Sequence, residues 1–160
     1  DGKDTKILHL NEFKRGKGKF EFKAWKETVE LKENAKEYPY ILTTNRELEH
    51  YNCGAMTRRT ANEQILQNNY LMIHPNDAKA HLISEGDYVC LESPRGKVDV
   101  KARITDEVKE GILSTTFHFP EVMINNLTGD IHDTEAMCPE YKVVAVRIRK
   151  SKGTYKKQLV

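Results

Sequence analysis

The sequence contains no apolar run near the roughly 20 residues that a membrane-spanning helix requires. It opens on Asp1 and Gly2 with no charged and then hydrophobic leader, so neither a membrane segment nor a secretory signal is expected. The absent initiator methionine points to a processed chain or an excised piece of something larger. Cysteine is scarce: Cys53, Cys90 and Cys138 stand far apart with no Cys-x-x-Cys pair. That spacing argues against a disulfide framework, a zinc ribbon and a four-cysteine iron–sulfur site, and it suits the reducing cytoplasm. Neither sign of charge dominates, because 26 Lys and Arg face 24 Asp and Glu, a formal +2. Dedicated nucleic-acid binders are far more basic, so nucleic acid is not an expected partner and any anion site must be local. The glycosylation-type spacing from Asn126 to Thr128 is read as accidental in a chain without a signal.

With 160 residues the chain suits one domain, which at this size buries roughly 70% of the surface its unfolded form exposes. Residues 1–37 are rich in Lys and Glu and read as a lead-in from a preceding domain or connector. Within them "GKFEFKAW" suggests a short strand, and "GKGK" is a turn, since it lacks the full spacing of a phosphate-binding P-loop. From Tyr38 the texture changes, and "YPYILTT" predicts a buried strand. "ANEQILQ" predicts a short helix, "NYLMI" a strand, and "HPNDAKAHL" a helix with Pro75 in its first turn. "SEGDYVCLES" and "KVDVKARIT" flank the turn signal "PRG" and predict a β-hairpin. "GILSTTFHF" is a strand ended by Pro120, "EVMINNL" one helical turn or two, and "YKVVAVRIRK" the last strand. A mainly β protein with short helices follows, most economically a closed or nearly closed barrel over 38–150, with a basic tail over 151–160.

Three segments carry chemistry. "TTNRELEHYNCGAMTRR" leaves the first predicted strand with a hydrogen-bonding group at nearly every position, a common way to present a binding surface. Arg46 offers a planar fork of donors to a phosphate or carboxylate, and Glu47 could accept from a base or sugar; a plain surface ion pair between them is the competing reading. His50 is read as a hydrogen-bond partner, because His50, Cys53, His118 and Cys138 lack the paired spacing of a metal site. Arg58 and Arg59 close the segment as a cationic pair or a solvated turn, and Gly54 lets backbone approach whatever is bound. In "TTFHFPEVMINNLT", Phe117, His118 and Asn125 suit a flat heterocycle, although the phenylalanines serve a core equally well. In "PEYKV", Tyr141 and Lys142 sit at the mouth of the last strand.

The words "YPYILTTNRELEHYNCGAMTRR", "IHPNDAKAHLISEGDYVCLESPRGKVDVKARITDEVKEGIL", "FHF", "NNLTGDIHD" and "PEYKVVAVRI" occur here in collinear order. Together they resemble the C-terminal domain of molybdopterin oxidoreductases, most of all the catalytic subunit of formate dehydrogenase, with periplasmic nitrate reductase a near relative. The resemblance implies a double-psi β-barrel, of the aspartate decarboxylase-like kind. That barrel covers one side of a bis(molybdopterin guanine dinucleotide) cofactor carrying molybdenum or tungsten. It implies that Thr43, Thr44, Arg46, Glu47, His50, Tyr51 and Asn52 touch the dinucleotide. Phe117 and His118 would lie near a pterin, Asn125 on it, and Tyr141 with Lys142 at its polar edge.

Two departures accompany the match. Many relatives have glycine where Asn45 stands, and a "DP" pair where "IHD" and "TEAMCPEY" stand here, which puts the turn and the local loop path in question. The family's metal ligand and iron–sulfur cluster lie upstream of this barrel, so no catalytic or metal-ligating residue is expected in this chain. The implied partner is the remainder of a catalytic subunit or a larger complex with iron–sulfur domains, with no catalysis by this chain alone. Competing expectations are a nitrate reductase-type domain, the small subunit of formylmethanofuran dehydrogenase, and a non-catalytic barrel used as an interaction module.

Overall fold

A computed structural model describes residues 6–151 of the chain. Six strands close into a barrel in the order β1-β5-β2-β4-β3-β6: β1 Tyr40–Asn45, β2 Tyr70–Ile73, β3 Tyr88–Ser93, β4 Gly96–Ile104, β5 Ile112–Thr116 and β6 Val144–Lys150. Two of the six pairings are parallel, β1 with β5 and β2 with β4, and each joins strands distant in sequence. The remaining contacts are antiparallel. Two interlocked parallel pairs in one closed sheet are the double-psi arrangement.

Alternation builds the interior. Leu42 and Thr44 on β1, Leu71 and Ile73 on β2, and Val98, Val100 and Ala102 on β4 all point inward, every second residue of their strands. With Leu113, Val144, Val146 and Ile148 all of these except Thr44 form one continuous apolar core. Each such aliphatic side chain contributes about 1.5–3 kcal/mol through burial. The two-residue connection from β3 to β4 is the expected hairpin, with Ser93 opposite Gly96.

Among the helices, α2 Asn62–Ile65 and α3 Pro75–Ala80 lie where the sequence predicts them, α3 with proline in its first turn. "EVMINNL" resolves into two 3-10 turns, Pro120–Val122 and Ile124–Asn126. Two expectations for the lead-in need correction. "GKFEFKAW" forms no strand, and Phe20, Phe22 and Trp25 are exposed because no neighbouring strand offers a ladder or an apolar face to them. The lead-in also contains a helix that sequence reading missed, α1 Val29–Asn34, capped by the Thr28 hydroxyl accepting from the Leu31 amide. From α1 the Glu30 carboxylate reaches the barrel, accepting from Arg95 at 2.7 and 2.9 Å and from the Ala145 amide at 2.9 Å. Most of the tail expected over 151–160 and the first five residues lie outside the described residues.

The region of the missing "DP" pair follows a closed path. His132 bridges Pro139, the Asp133 amide donates to the Cys138 carbonyl and the Glu140 amide to the Ile131 carbonyl, returning the chain to Tyr141. One group there carries a stability prediction. Burial raises the Glu140 carboxyl above its ordinary value, the Glu30 carboxylate raises it further, and Oε2 is buried without a hydrogen bond. A carboxyl raised in the folded state favours folding below its unfolded value and loses that contribution as pH climbs through the folded one. Glu140→Gln is therefore expected to raise urea resistance near neutral pH, with the gain vanishing below about pH 4. An unchanged midpoint near neutral pH would remove Glu140 as a destabilising charge.

Candidate functional site

Parallel pairing makes the site. Because Asn45 registers beside Thr116, β1 and β5 end together, and the segments 46–59 and 117–127 leave from the same end of the barrel. β6 runs antiparallel to β1, so its entry through Tyr141 and Lys142 arrives at that end as well. The Lys142 ammonium donates to the Thr44 carbonyl, and the Thr44 hydroxyl donates to the Tyr141 carbonyl at 3.3 Å. The 117–127 segment is anchored from below, where the Leu127 carbonyl accepts from the Ser93 hydroxyl at 2.9 Å and from the Arg95 guanidinium.

A pocket of about 300 Å³ opens between these loops, lined by Cys53, Phe117, Phe119, Pro120, Met123, Ile124, Asn125 and Asn126. Arg46 is exposed, with its guanidinium carbon 5.7 Å from the centre of the Phe117 ring, which puts a cation beside an aromatic wall. Met123 adopts a left-handed backbone, φ 55° and ψ 43°, at the junction of the two 3-10 turns. That conformation is costly for an unbranched side chain and concentrates at ligand-contacting segments.

The two histidines expected to touch a ligand are turned inward instead. His118 is fully buried: its Nε2 accepts from the Glu47 amide at 3.0 Å, which leaves the ring proton on Nδ1 to be donated to the Asn52 carbonyl. The imidazole thereby fastens both shoulders of the 46–54 loop to the end of β5. His50, also buried, donates from Nε2 to the Leu66 carbonyl at 2.8 Å and takes the Thr57 hydroxyl on Nδ1 at 3.2 Å. With all four ring nitrogens engaged by protein, the histidines shape the loop, and neither presents a free nitrogen.

The other expected residues gather as follows. Thr43, Thr44, Arg46, Glu47, Tyr141 and Lys142 surround the end of β1; Phe117 and Asn125 line the pocket; Tyr51 and Asn52 stand exposed on the loop, Asn52 with a left-handed φ of 49°. Asn45 needs no such angle: it is the last extended residue of β1, so its difference from glycine leaves the turn intact. Its Oδ1 is buried and unpartnered at the edge of the site.

The sequence left the role of Arg58 open and did not single out Asn69. Arg58 is neither a ligand-facing cation nor a solvated one. It grips Glu121 through two bonds of 2.7 and 2.8 Å and reaches Glu63 at 3.3 Å, and the Glu121 hydrogen bonds lift its guanidinium further above its ordinary value. Asn69 is buried against β5, its Oδ1 accepting from the Thr115 and Thr116 hydroxyls and the Thr116 amide. The local signal for the tight loop is Gly54, whose φ is +74°.

Exposed cations at Arg46 and Lys142, the Asn125 amide, the half-buried Phe117 ring and an orphaned amide oxygen suit an anionic ligand with hydrogen-bonding heterocycles. Fold and site together define a small closed β-barrel with a cation-bordered, aromatic-lined pocket at one end. The chain belongs to the molydopterin dinucleotide binding domain family, which matches residues 40–145. It is 42% identical over 149 residues, 91% of its length, to the F420-dependent formate dehydrogenase subunit alpha of Methanocaldococcus jannaschii. It is 40% identical over 151 residues to the F420-dependent formate dehydrogenase 2 subunit alpha of Methanococcus maripaludis. It spans 22% of the length of each. The assimilatory nitrate reductase catalytic subunit of Bacillus subtilis is 32% identical over 114 residues, 70% of this chain and 16% of that protein. Among solved structures, acetylene hydratase from Pelobacter acetylenicus shares the fold with a TM-score of 0.64 at 18% identity, over 73% of this chain and 19% of that one.

Proposed function

We propose that this chain is the cofactor-binding domain of a formate dehydrogenase, the part that seats a bis(molybdopterin guanine dinucleotide) carrying molybdenum or tungsten. The observation that carries the reading is the convergence of Arg46, Phe117, Asn125 and Lys142 at one barrel end. The identity of 42% with a formate dehydrogenase alpha subunit supports the choice of substrate. When bound, the cofactor accepts the electrons released as formate becomes carbon dioxide. The residues here do the holding. Arg46 and Lys142 offset the pyrophosphate charge, Asn125 and the Asn45 amide meet heterocycle edges, and Phe117 supplies a flat face. The metal ligand and the iron–sulfur relay belong to the remainder of the subunit, so this chain alone binds without turning over formate. Its setting is the reducing cytoplasm, a reading supported by three free thiols at Cys53, Cys90 and Cys138. A nitrate reductase-type assignment is the second reading, favoured by the relative at 32% identity.

Calorimetry with guanosine diphosphate tests the proposal, since that molecule carries the guanine and pyrophosphate alone. The chain is expected to bind it, and Arg46→Ala to weaken binding by about 1–3 kcal/mol, the size of a charge-assisted contact. No heat from the unsubstituted chain, or equal affinity in the variant, overturns the reading.

A further inference from the structure

We infer that the Arg58–Glu121 pair is a positioning device that sets the width of the cofactor pocket, an inference that rests on the dinucleotide-binding reading above. The pocket lies between two loops, with Cys53 contributed by one and Phe117 to Asn126 by the other, so its shape depends on their separation. Phe119 forms the wall between them. A second cavity of about 220 Å³ lies on the other side of that wall, lined by Arg58, Glu63, Asn69, Lys101, Phe119 and Glu121 among others. Phe119 is 2% exposed although it borders both cavities, so the groups packed on its ring set where the wall stands. One of those groups is charged. The Arg58 guanidinium stacks 4.8 Å from the centre of the Phe119 ring and joins Glu121, two residues beyond Phe119, through a parallel pair of bonds. A planar fork of this kind fixes angle as well as distance, which a single ammonium contact cannot.

The same arginine is tied to the first loop. Its amide donates to the Gly54 carbonyl at 3.0 Å, and its side chain passes so close to Gly54 that an added Cβ would lie 2.7 Å from Cδ. His50 meets the Phe119 ring edge-on at 5.3 Å from the opposite quarter. Arg58 and Glu121 are each about three-quarters buried, their side chains 24% exposed, so the pair sits where charge-assisted bonds are stronger than on an open surface. The pair thus adds a second tie, beyond the His118 bonds at the end of β5, between the two loops before any ligand arrives, which lowers the ordering cost of binding.

The experiment measures guanosine diphosphate affinity by calorimetry for the 160-residue chain, Glu121→Gln, Arg58→Lys and the double variant, each held well below its melting temperature. Glu121→Gln is nearly isosteric and frees positive charge beside the site. A positioning pair predicts binding about tenfold weaker despite that charge, the order seen when an outer partner of a binding residue is lost. Arg58→Lys, which keeps the charge and loses the fork, should weaken binding to a similar degree, and the double variant should be no worse than either. Tighter binding by Glu121→Gln would make Arg58 a direct cation for the ligand and overturn the inference. Equal affinity in all four chains would overturn it as well, while leaving the cofactor-binding reading in place. Failure of the unsubstituted chain to bind removes both.

Discussion

Replacing Glu30 with alanine is expected to cost about 3–5 kcal/mol of stability, the range for breaking a buried ion pair from one side. Glu30 is 3% exposed and Arg95 29%, so the carboxylate is the buried partner and the guanidinium can recover some hydration. That asymmetry places the loss near the lower figure. The Ala145 amide, at the start of β6, loses its acceptor at the same time, and a buried donor left unmet costs about 1–3 kcal/mol by itself. α1 loses its only charged anchor to the barrel among the described residues. Urea unfolding followed by circular dichroism measures the change, and a midpoint within error of the original would show that α1 is dispensable. A double replacement, Glu30→Leu with Arg95→Met, should recover much of the loss, because removing both charges leaves neither one stranded.

The second large effect is at Gly54. Its φ of +74° lies in the left-handed region, which costs an L side chain roughly 1–2 kcal/mol. An added Cβ would stand 2.6 Å from the His118 carbonyl oxygen and 2.7 Å from Arg58 Cδ. The carbonyl is backbone and cannot swing away, so either the 46–54 loop lifts or the strand end carrying Phe117 and Phe119 shifts. We expect Gly54→Ala to lose about 2–4 kcal/mol, strain and overpacking combined, and to abolish measurable guanosine diphosphate binding. Gly111 supplies the control: its φ is +80°, yet an added Cβ would meet nothing within 4 Å. Gly111→Ala should therefore pay the backbone strain alone and leave binding intact. Equal stability losses at both glycines would remove steric contact as the reason for Gly54.

Much of the barrel was readable along the chain. The runs "YPYILTT", "NYLMI", "SEGDYVCLES", "KVDVKARIT", "GILSTTFHF" and "YKVVAVRIRK" marked the six strands, and "PRG" announced the β3–β4 hairpin. The polar stretch after β1 and the aromatic end of β5 were recognisable as loops that could hold a ligand, and they do share one end of the molecule. The lead-in was read least well. "GKFEFKAW" has strand-like composition, but a strand exists only with a partner, and its aromatics find none among the described residues. α1 spans six residues, too short for periodicity to stand out from its charged surroundings.

His50, His118 and Arg58 show where linear reading ended. Each is a polar residue in a segment that follows a strand, and spacing says that it can bond without saying whether it faces outward or inward. Direction depends on groups far along the chain: the Glu47 amide for His118, the Leu66 carbonyl for His50, and Glu121 for Arg58, 63 positions away. By itself the amino-acid order determined the positions of the strands, the hairpin turn, and membership of a dinucleotide-binding family, because these follow from local composition and short words. Tertiary structure alone decided which polar side chains remain available to a ligand and which are consumed as struts. The reason is that parallel pairing of β1 with β5 brings residues 45 and 116 side by side, and no local pattern encodes a neighbour at that separation.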